Sequence, residues 1–317
     1  MDSLLAAFQK TFILFIFIAG GWGLRKCNMI RADFSPGLSK LIFNVFMPAM
    51  ILQILRDSLT PQTFLEGAPV LLLSCAVILA GYLFGLLISP LFEKKKIYRS
   101  IYIFSFTFAN FAFMGYPIMS AVFGQDSMLT LTLFNIPLYL IVNVLGLYIF
   151  TEKNAAGQGS KQKWLAQLKV VLNPVTICIF IGILLSFLHV QYPPLVSEVI
   201  DMATVCVTPL SMLLTGFLLG GSSLREMLCV PKSYIASLIR LVGIPTVLLA
   251  VLYLCGLRGY MLAVPVMVSA MPVAVNGAVL SEAAGSDSYS MAQIIFISTL
   301  LSLVTLPIFA SVLQMIM

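Results

Sequence analysis

Two short stretches hold the residues with chemistry to offer. The first is Asn110-Phe111-Ala112-Phe113-Met114-Gly115-Tyr116-Pro117 and the second is Met271-Pro272-Val273-Ala274-Val275-Asn276-Gly277. Each lies inside an apolar run, from about Ile101 to Phe123 and from about Tyr260 to Ala284. An uninterrupted membrane helix would not choose either sequence. Proline removes a backbone donor and clashes with the preceding turn, glycine loosens the backbone, and each asparagine sets an amide where hydrocarbon is expected. Such breaks survive at membrane depth only where the freed backbone lines a protein cavity. One broken helix in each half of a chain points to the binding site of a secondary transporter.

The chemistry that these residues suit is anion binding. A helix N-terminus has unsatisfied N–H groups and a partial positive charge, so two half-helices starting at one place can hold a carboxylate on backbone donors. Pro117 suits the first position of one such half-helix, and Ala278 starts the other. Asn110 and Asn276 add side-chain donors, and Met114, Gly115, Tyr116, Pro117, Val275 and Gly277 complete the expected substrate-binding set. Neither break contains Lys or Arg. The competing reading takes the prolines as kinks and the amides as interhelical glue; a matching break in each half favours the site. Asn44, Asn135, Glu282 and Gln293 form a second tier for substrate or ion coupling. Glu282 lies six residues after Asn276, about 9 Å along a helix, and fits the cytoplasmic mouth better than a proton-coupling role. Arg240, about two turns into helix 8, has two readings: a counter-ion or, favoured over it, a side chain that snorkels toward the cytoplasm. No cofactor is called for. Coupling to H⁺ or Na⁺ stays open, with carbonyls and amides rather than a midplane carboxylate as the Na⁺ ligands.

Composition sets the class. The chain has 317 residues, 60% hydrophobic and 9% charged, which excludes an ordinary soluble domain and predicts a polytopic membrane protein. At roughly 20 residues per span, about ten helices fit. The net charge of +6 does not point to nucleic acid, because the basic residues sit between apolar runs. Asp2 and the lack of a basic leader argue against a cleaved signal peptide. Six cysteines are scattered without a Cys-x-x-Cys, so neither a metal site nor a disulfide framework is expected.

These spans must position the two breaks. Residues 1–150 form a first repeat of helices 1–5, residues 151–168 a polar linker, and residues 169–317 a second repeat of helices 6–10. Gly21 and Gly182, Pro48 and Pro209, Gly124 and Gly285, Asp126 and Asp287, and Ser127 and Ser288 are all separated by 161 residues, which argues for duplication. An odd number of helices per unit inverts the second relative to the first. The fold expected is therefore all-α, with ten transmembrane helices in two inverted five-helix repeats and the broken helices 4 and 9 crossed. With the N-terminus outside, the inner side holds Arg25, Lys26, Arg31, Lys40, Lys94, Lys95, Lys96, Arg99, Lys153, Lys161, Lys163, Lys169, Arg225 and Lys232. The outer side holds Lys10, Arg56 and Arg258, a bias of 14 to 3. By the positive-inside rule both termini are outside and the linker is cytoplasmic in a multi-pass cell (inner) membrane protein.

The same residues carry a resemblance. Asn110-Phe-Ala-Phe-Met-Gly-Tyr-Pro117 and Ala270-Met-Pro-Val-Ala-Val-Asn276-Gly, with Leu41-Ile-Phe-Asn-Val-Phe-Met-Pro48, Leu172-Asn-Pro174 and Thr208-Pro-Leu-Ser-Met-Leu, run in order along the chain. In these the sequence resembles the auxin efflux carrier family, which includes plant auxin carriers and bacterial carboxylate permeases. The resemblance implies a scaffold of helices 1, 2, 6 and 7 and a transport unit of helices 3–5 and 8–10. It also implies organic-anion transport. The short linker favours a bacterial-type member, and a homodimer through the scaffold helices is compatible with this build.

The function expected is therefore a secondary carrier for a small organic anion, a carboxylate, working by elevator-type alternating access in a lipid bilayer. An anion channel and a membrane sensor on the same fold are the rivals. An enzyme is not expected, since His-Glu-x-x-His, Gly-x-Ser-x-Gly and paired intramembrane aspartates are all missing from the sequence.

Overall fold

The computed structural model describes residues 2–31, 33–151, 174–221, 230–284 and 286–317. The expected linker beyond Thr151 lies outside the described residues, as do Lys153, Lys161, Lys163, Lys169 and Arg225. The described chain is helical. Its helices are α1 (Asp2–Lys26), α2 (Phe34–Ser58), α3 (Pro61–Phe92), α4 (Lys96–Thr107), α5 (Phe111–Phe123), α6 (Asp126–Thr151), α7 (Pro174–Phe187), α8 (Pro194–Gly220), α9 (Pro231–Leu254), α10 (Tyr260–Ala270), α11 (Asn276–Ala283) and α12 (Ser288–Ile316). Among the described residues no strand forms beyond one isolated bridge. Six of these helices, α2, α3, α6, α8, α9 and α12, are long and apolar enough to cross a membrane. The protein is a polytopic membrane protein.

Three of the helices contain a π turn, and in each the cause is the same. The turns are Ile42–Phe46, Phe111–Gly115 and Ile239–Gly243. Each is followed by an α segment whose second residue is proline: Pro48, Pro117 and Pro245. A proline ring clashes with the carbonyl four residues back and supplies no N–H to it. Widening the preceding turn by one residue relieves that clash without ending the helix.

The chain divides into two compact units, each assembled from both halves of the sequence. One comprises Met1–Leu71, Ala112–Ile136 and Leu172–Ser223. Here α1 lies backbone to backbone on α8: a Cβ on Gly21 would collide with the Leu213 carbonyl, and one on Gly216 with that of Ile18. Small residues at such contacts replace the hydrophobic driving force that lipid cannot provide. On α7, a Cβ on Gly182 would sit 2.6 Å from Leu55 Cδ1 and 3.3 Å from Leu52 Cδ2, and the Ser186 hydroxyl donates to the Leu55 carbonyl at 3.0 Å. Gly21 and Gly182 are 161 residues apart, and so are Leu52 and Leu213. The same spacing therefore interchanges the α1–α8 and α7–α2 contacts. At the end of α2, Arg56 pairs with Asp201 of α8 at 2.9 Å, and Gln53 donates to the same carboxylate at 2.8 Å.

The other unit comprises Leu72–Phe111, Pro137–Val171 and Leu224–Met317. In it Gly81 and Gly85 of α3 admit the α4 backbone. A Cβ on either would stand 3.0 Å from Phe106 O or Ile103 Cα respectively. Phe84, Phe92, Tyr102 and Phe106 form an aromatic cluster between the same helices, with ring centroids 4.7–5.8 Å apart. The α10, α11 and α9 helices pack on α12 or on one another.

Candidate functional site

The chain is interrupted between α4 and α5 and between α10 and α11, and both interruptions have local causes. On α4 the hydroxyls of Ser105 and Thr107 bond back to the carbonyls of Ile101 and Ile103, each at 2.7 Å, a habit that weakens a helix near its end. The chain then turns extended at Phe108 (φ −113°, ψ 124°). On α10 the cause is Pro272. It drives Met271 into an extended conformation (φ −64°, ψ 150°), as expected of a residue before proline.

The two interruptions meet. Ala109 and Val273 form an antiparallel bridge. The Asn110 amide donates to the Pro272 carbonyl at 2.8 Å, and the Ala274 amide to the Phe108 carbonyl at 3.2 Å. The Val273 amide donates to the Ser298 hydroxyl of α12 at 3.1 Å. Backbone groups released from one helix are thus met by the other, as a low-dielectric interior requires. All of these residues belong to the second unit.

Polar groups remain at this crossing. Asn110 is 3% exposed, and its Nδ2 has no hydrogen-bond partner among the described residues. Asn276 opens α11 and is partly exposed, as is Val275. The Gly277 and Ala278 amides close on the carbonyls of Ala274 and Val275 at 3.1 and 3.2 Å. That leaves the Val275 and Asn276 amides without a backbone partner among the described residues. Gly277 is buried where a Cβ would stand 2.5 Å from both Phe104 Cε1 and Met291 Cε, so only glycine brings α11 this close to α4 and α12. Gln293 of α12 is 4% exposed in the same unit.

The other expected residues are placed differently. Met114, Gly115, Tyr116 and Pro117 are buried, but they belong to the first unit with α1, α2 and α8. There Phe113 meets Phe43 edge to face at 5.2 Å. The structure does not gather these four with Asn110 and Asn276 in one unit. Pro117 does not begin a half-helix either: α5 starts six residues earlier, at Phe111, because the break falls at 108–110. Likewise α11 starts at Asn276 rather than Ala278. Asn44 is exposed on the π turn of α2. Asn135 is fully buried in the first unit, with neither amide atom partnered among the described residues. Glu282 falls on α11, and its side chain lies outside what the structure describes.

One residue that the sequence reading assigned elsewhere belongs here. Arg240 does not snorkel. It is 3% exposed, and its Nη1 donates to the Phe106 carbonyl at 3.1 Å, in the last turn of α4 just before the break. Its Nε has no partner among the described residues. The signal was a cation inside an apolar span; which way it pointed was not legible. Among the described residues no group of His, Cys, Asp and Glu is placed to hold a metal ion.

A membrane chain, helical in its described residues, whose two interrupted helices meet break to break has the build of a membrane transporter. This chain belongs to the membrane transport protein family, that of the auxin efflux carriers: the family profile matches residues 6–310. It is 25% identical over 298 residues to an uncharacterized transporter of Methanothermobacter thermautotrophicus, covering 92% of this chain and 94% of that protein. An uncharacterized transporter of Methanocaldococcus jannaschii is 22% identical over 305 residues, covering 95% of this chain and 97% of that one.

Proposed function

We propose that the protein is a secondary carrier that moves a small organic anion, a carboxylate, across the cell membrane by alternating access. The observation that carries this reading is the crossing. Two interrupted helices meet inside one compact unit, where Asn110 Nδ2 is buried without a partner among the described residues and α11 begins at Asn276. Helix starts favour negative charge, and a point-like site suits a carrier better than a lined pore. The fold that goes with this is ten helices in two inverted five-helix repeats, supported by the glycine contacts that a shift of 161 interchanges. One compact unit holds α1, α2, α7 and α8, the helices assigned to the scaffold, together with residues 61–71 and 112–136 of the assigned transport unit. An elevator-type movement of the transport unit against the scaffold is the mode of alternating access in this reading. Both termini face outside and the linker faces the cytoplasm; the reading is compatible with uniport as with coupling to H⁺ or Na⁺, and with a homodimer through the scaffold. The test is uptake into proteoliposomes of an organic acid chosen by thermal-shift screening of the purified protein. A carrier gives saturable uptake that is stimulated by the same acid on the far side. Flux linear in concentration and unaffected by the trans side would overturn the reading in favour of a channel.

A further inference from the structure

Two helices interrupted at one place bring four helix ends together. The ends of α4 and α10 are C-terminal, and the starts of α5 and α11 are N-terminal. Each start carries roughly +0.5 of a charge and each end roughly −0.5, so the four sum to about zero. The two starts favour an anion locally, but the four backbone ends together add no net charge to answer that of a carboxylate. Arg240 changes that sum. It is always protonated, is 3% exposed, and donates through Nη1 to the Phe106 carbonyl at the negative end of α4. Among the described residues it forms no salt bridge with a carboxylate, and its Nε is buried without a partner. A guanidinium isolated within a membrane span is costly, and one carbonyl dipole answers only part of its charge. It sits in the π turn Ile239–Gly243, a local widening often found at functional sites.

We propose that Arg240 sets the charge preference of the crossing. Its guanidinium cancels the negative end of α4 and leaves about one net positive charge, which a single carboxylate group of the substrate answers. Arg240 is thus a specificity-determining residue for monoanionic over neutral ligands. This rests on the reading that the crossing binds an organic anion. The alternative role is a pure helix cap, which would hold the break in shape without regard to ligand charge.

The experiment compares acids with their own primary amides. The probes are propionate, lactate, phenylacetate and indole-3-acetate, each paired with its primary amide. Apparent affinities are taken from thermal-shift titrations of purified wild type, Arg240→Lys and Arg240→Gln. For acids that bind wild type, Arg240→Gln should lower the acid-over-amide preference roughly 10- to 150-fold, the value of one hydrogen bond to a charged group. Arg240→Lys, which keeps the charge, should retain most of that preference. A helix cap would instead weaken acid and amide alike. An unchanged preference in Arg240→Gln overturns the proposal, and so does a loss in Arg240→Lys as deep as in Arg240→Gln. Should Arg240→Gln fail to fold, the Lys variant decides alone: retention of the preference supports the proposal and its loss overturns it. Wild type that binds none of the acids overturns the organic-anion reading together with this inference. Wild type that prefers an acid, with Arg240→Gln preferring it equally, overturns the inference alone.

Discussion

Asn110 offers a perturbation in which stability and affinity should part company. Its side chain is 3% exposed, and Nδ2 has no partner among the described residues. A buried donor left unmet costs about 1–3 kcal/mol. Asn110→Ala removes that donor, so the ligand-free protein should melt no lower than wild type, after allowing for the small packing loss. The bound state behaves oppositely. A hydrogen bond to a charged acceptor contributes about 1.5–3 kcal/mol, so the Ala variant should bind its acid roughly 10- to 150-fold more weakly. Asn110→Asp keeps the shape and adds a negative charge. Two carboxylates about 4 Å apart at an effective dielectric of about 20 repel by about 4 kcal/mol. Affinity should then fall by about a further thousandfold. The assay is a thermal-shift titration with an acid that stabilises wild type, alongside melting temperatures without ligand. Interhelical glue predicts the reverse pattern: a lower melting temperature in the Ala variant and unchanged affinity. That result would refute the reasoning.

Other expected outcomes follow from particular contacts. Pro272→Ala frees Met271 from its extended conformation and should abolish transport while insertion is kept. Pro117→Ala, which falls within α5 after the break, should keep most of it; uptake by paired variants decides, and equal effects would contradict the placement of the break. Gly216→Leu drives a side chain into the Ile18 carbonyl and should destabilise the α1–α8 pair by about 3 kcal/mol, read as a lowered melting temperature, whereas an unchanged one would contradict the packing. A cysteine placed at Gly157, with the native cysteines removed, should resist an impermeant maleimide in intact cells and react after lysis; labelling of sealed cells would overturn the orientation.

Both interruptions were legible because their signals are local. Pro272, Gly277, Asn110 and Asn276 are polar or helix-breaking residues in apolar runs, and they marked both interruptions and their family. The position of the first break was less legible. Pro117 is the conspicuous breaker, yet its helix absorbs it with a π turn, and the chain parts earlier, at Phe108. That depends on the hydroxyls of Ser105 and Thr107 and on pairing with residues 272–274, a tertiary contact with no signature of its own. Gly21 and Gly182, matched at a spacing of 161, both lie at close helix contacts, whereas the pairing of 108–110 with 272–274 has no side-chain match in the sequence. Arg240 was visible as a cation in a span. Its direction was not, because snorkelling outward and capping α4 begin from the same sequence. Asn44, a polar residue in an apolar run, gives no sign in the sequence of which way it faces; it is exposed.

The central claim is that the crossing is the substrate site of an organic-anion carrier. Counterflow in proteoliposomes tests it most directly, using an acid that stabilises the purified protein and comparing wild type with Asn276→Ala. The account predicts transient accumulation of labelled acid in vesicles preloaded with unlabelled acid, saturable for wild type and abolished or strongly weakened for Asn276→Ala. Equal counterflow by both proteins, or flux with no response to preloading, would contradict it.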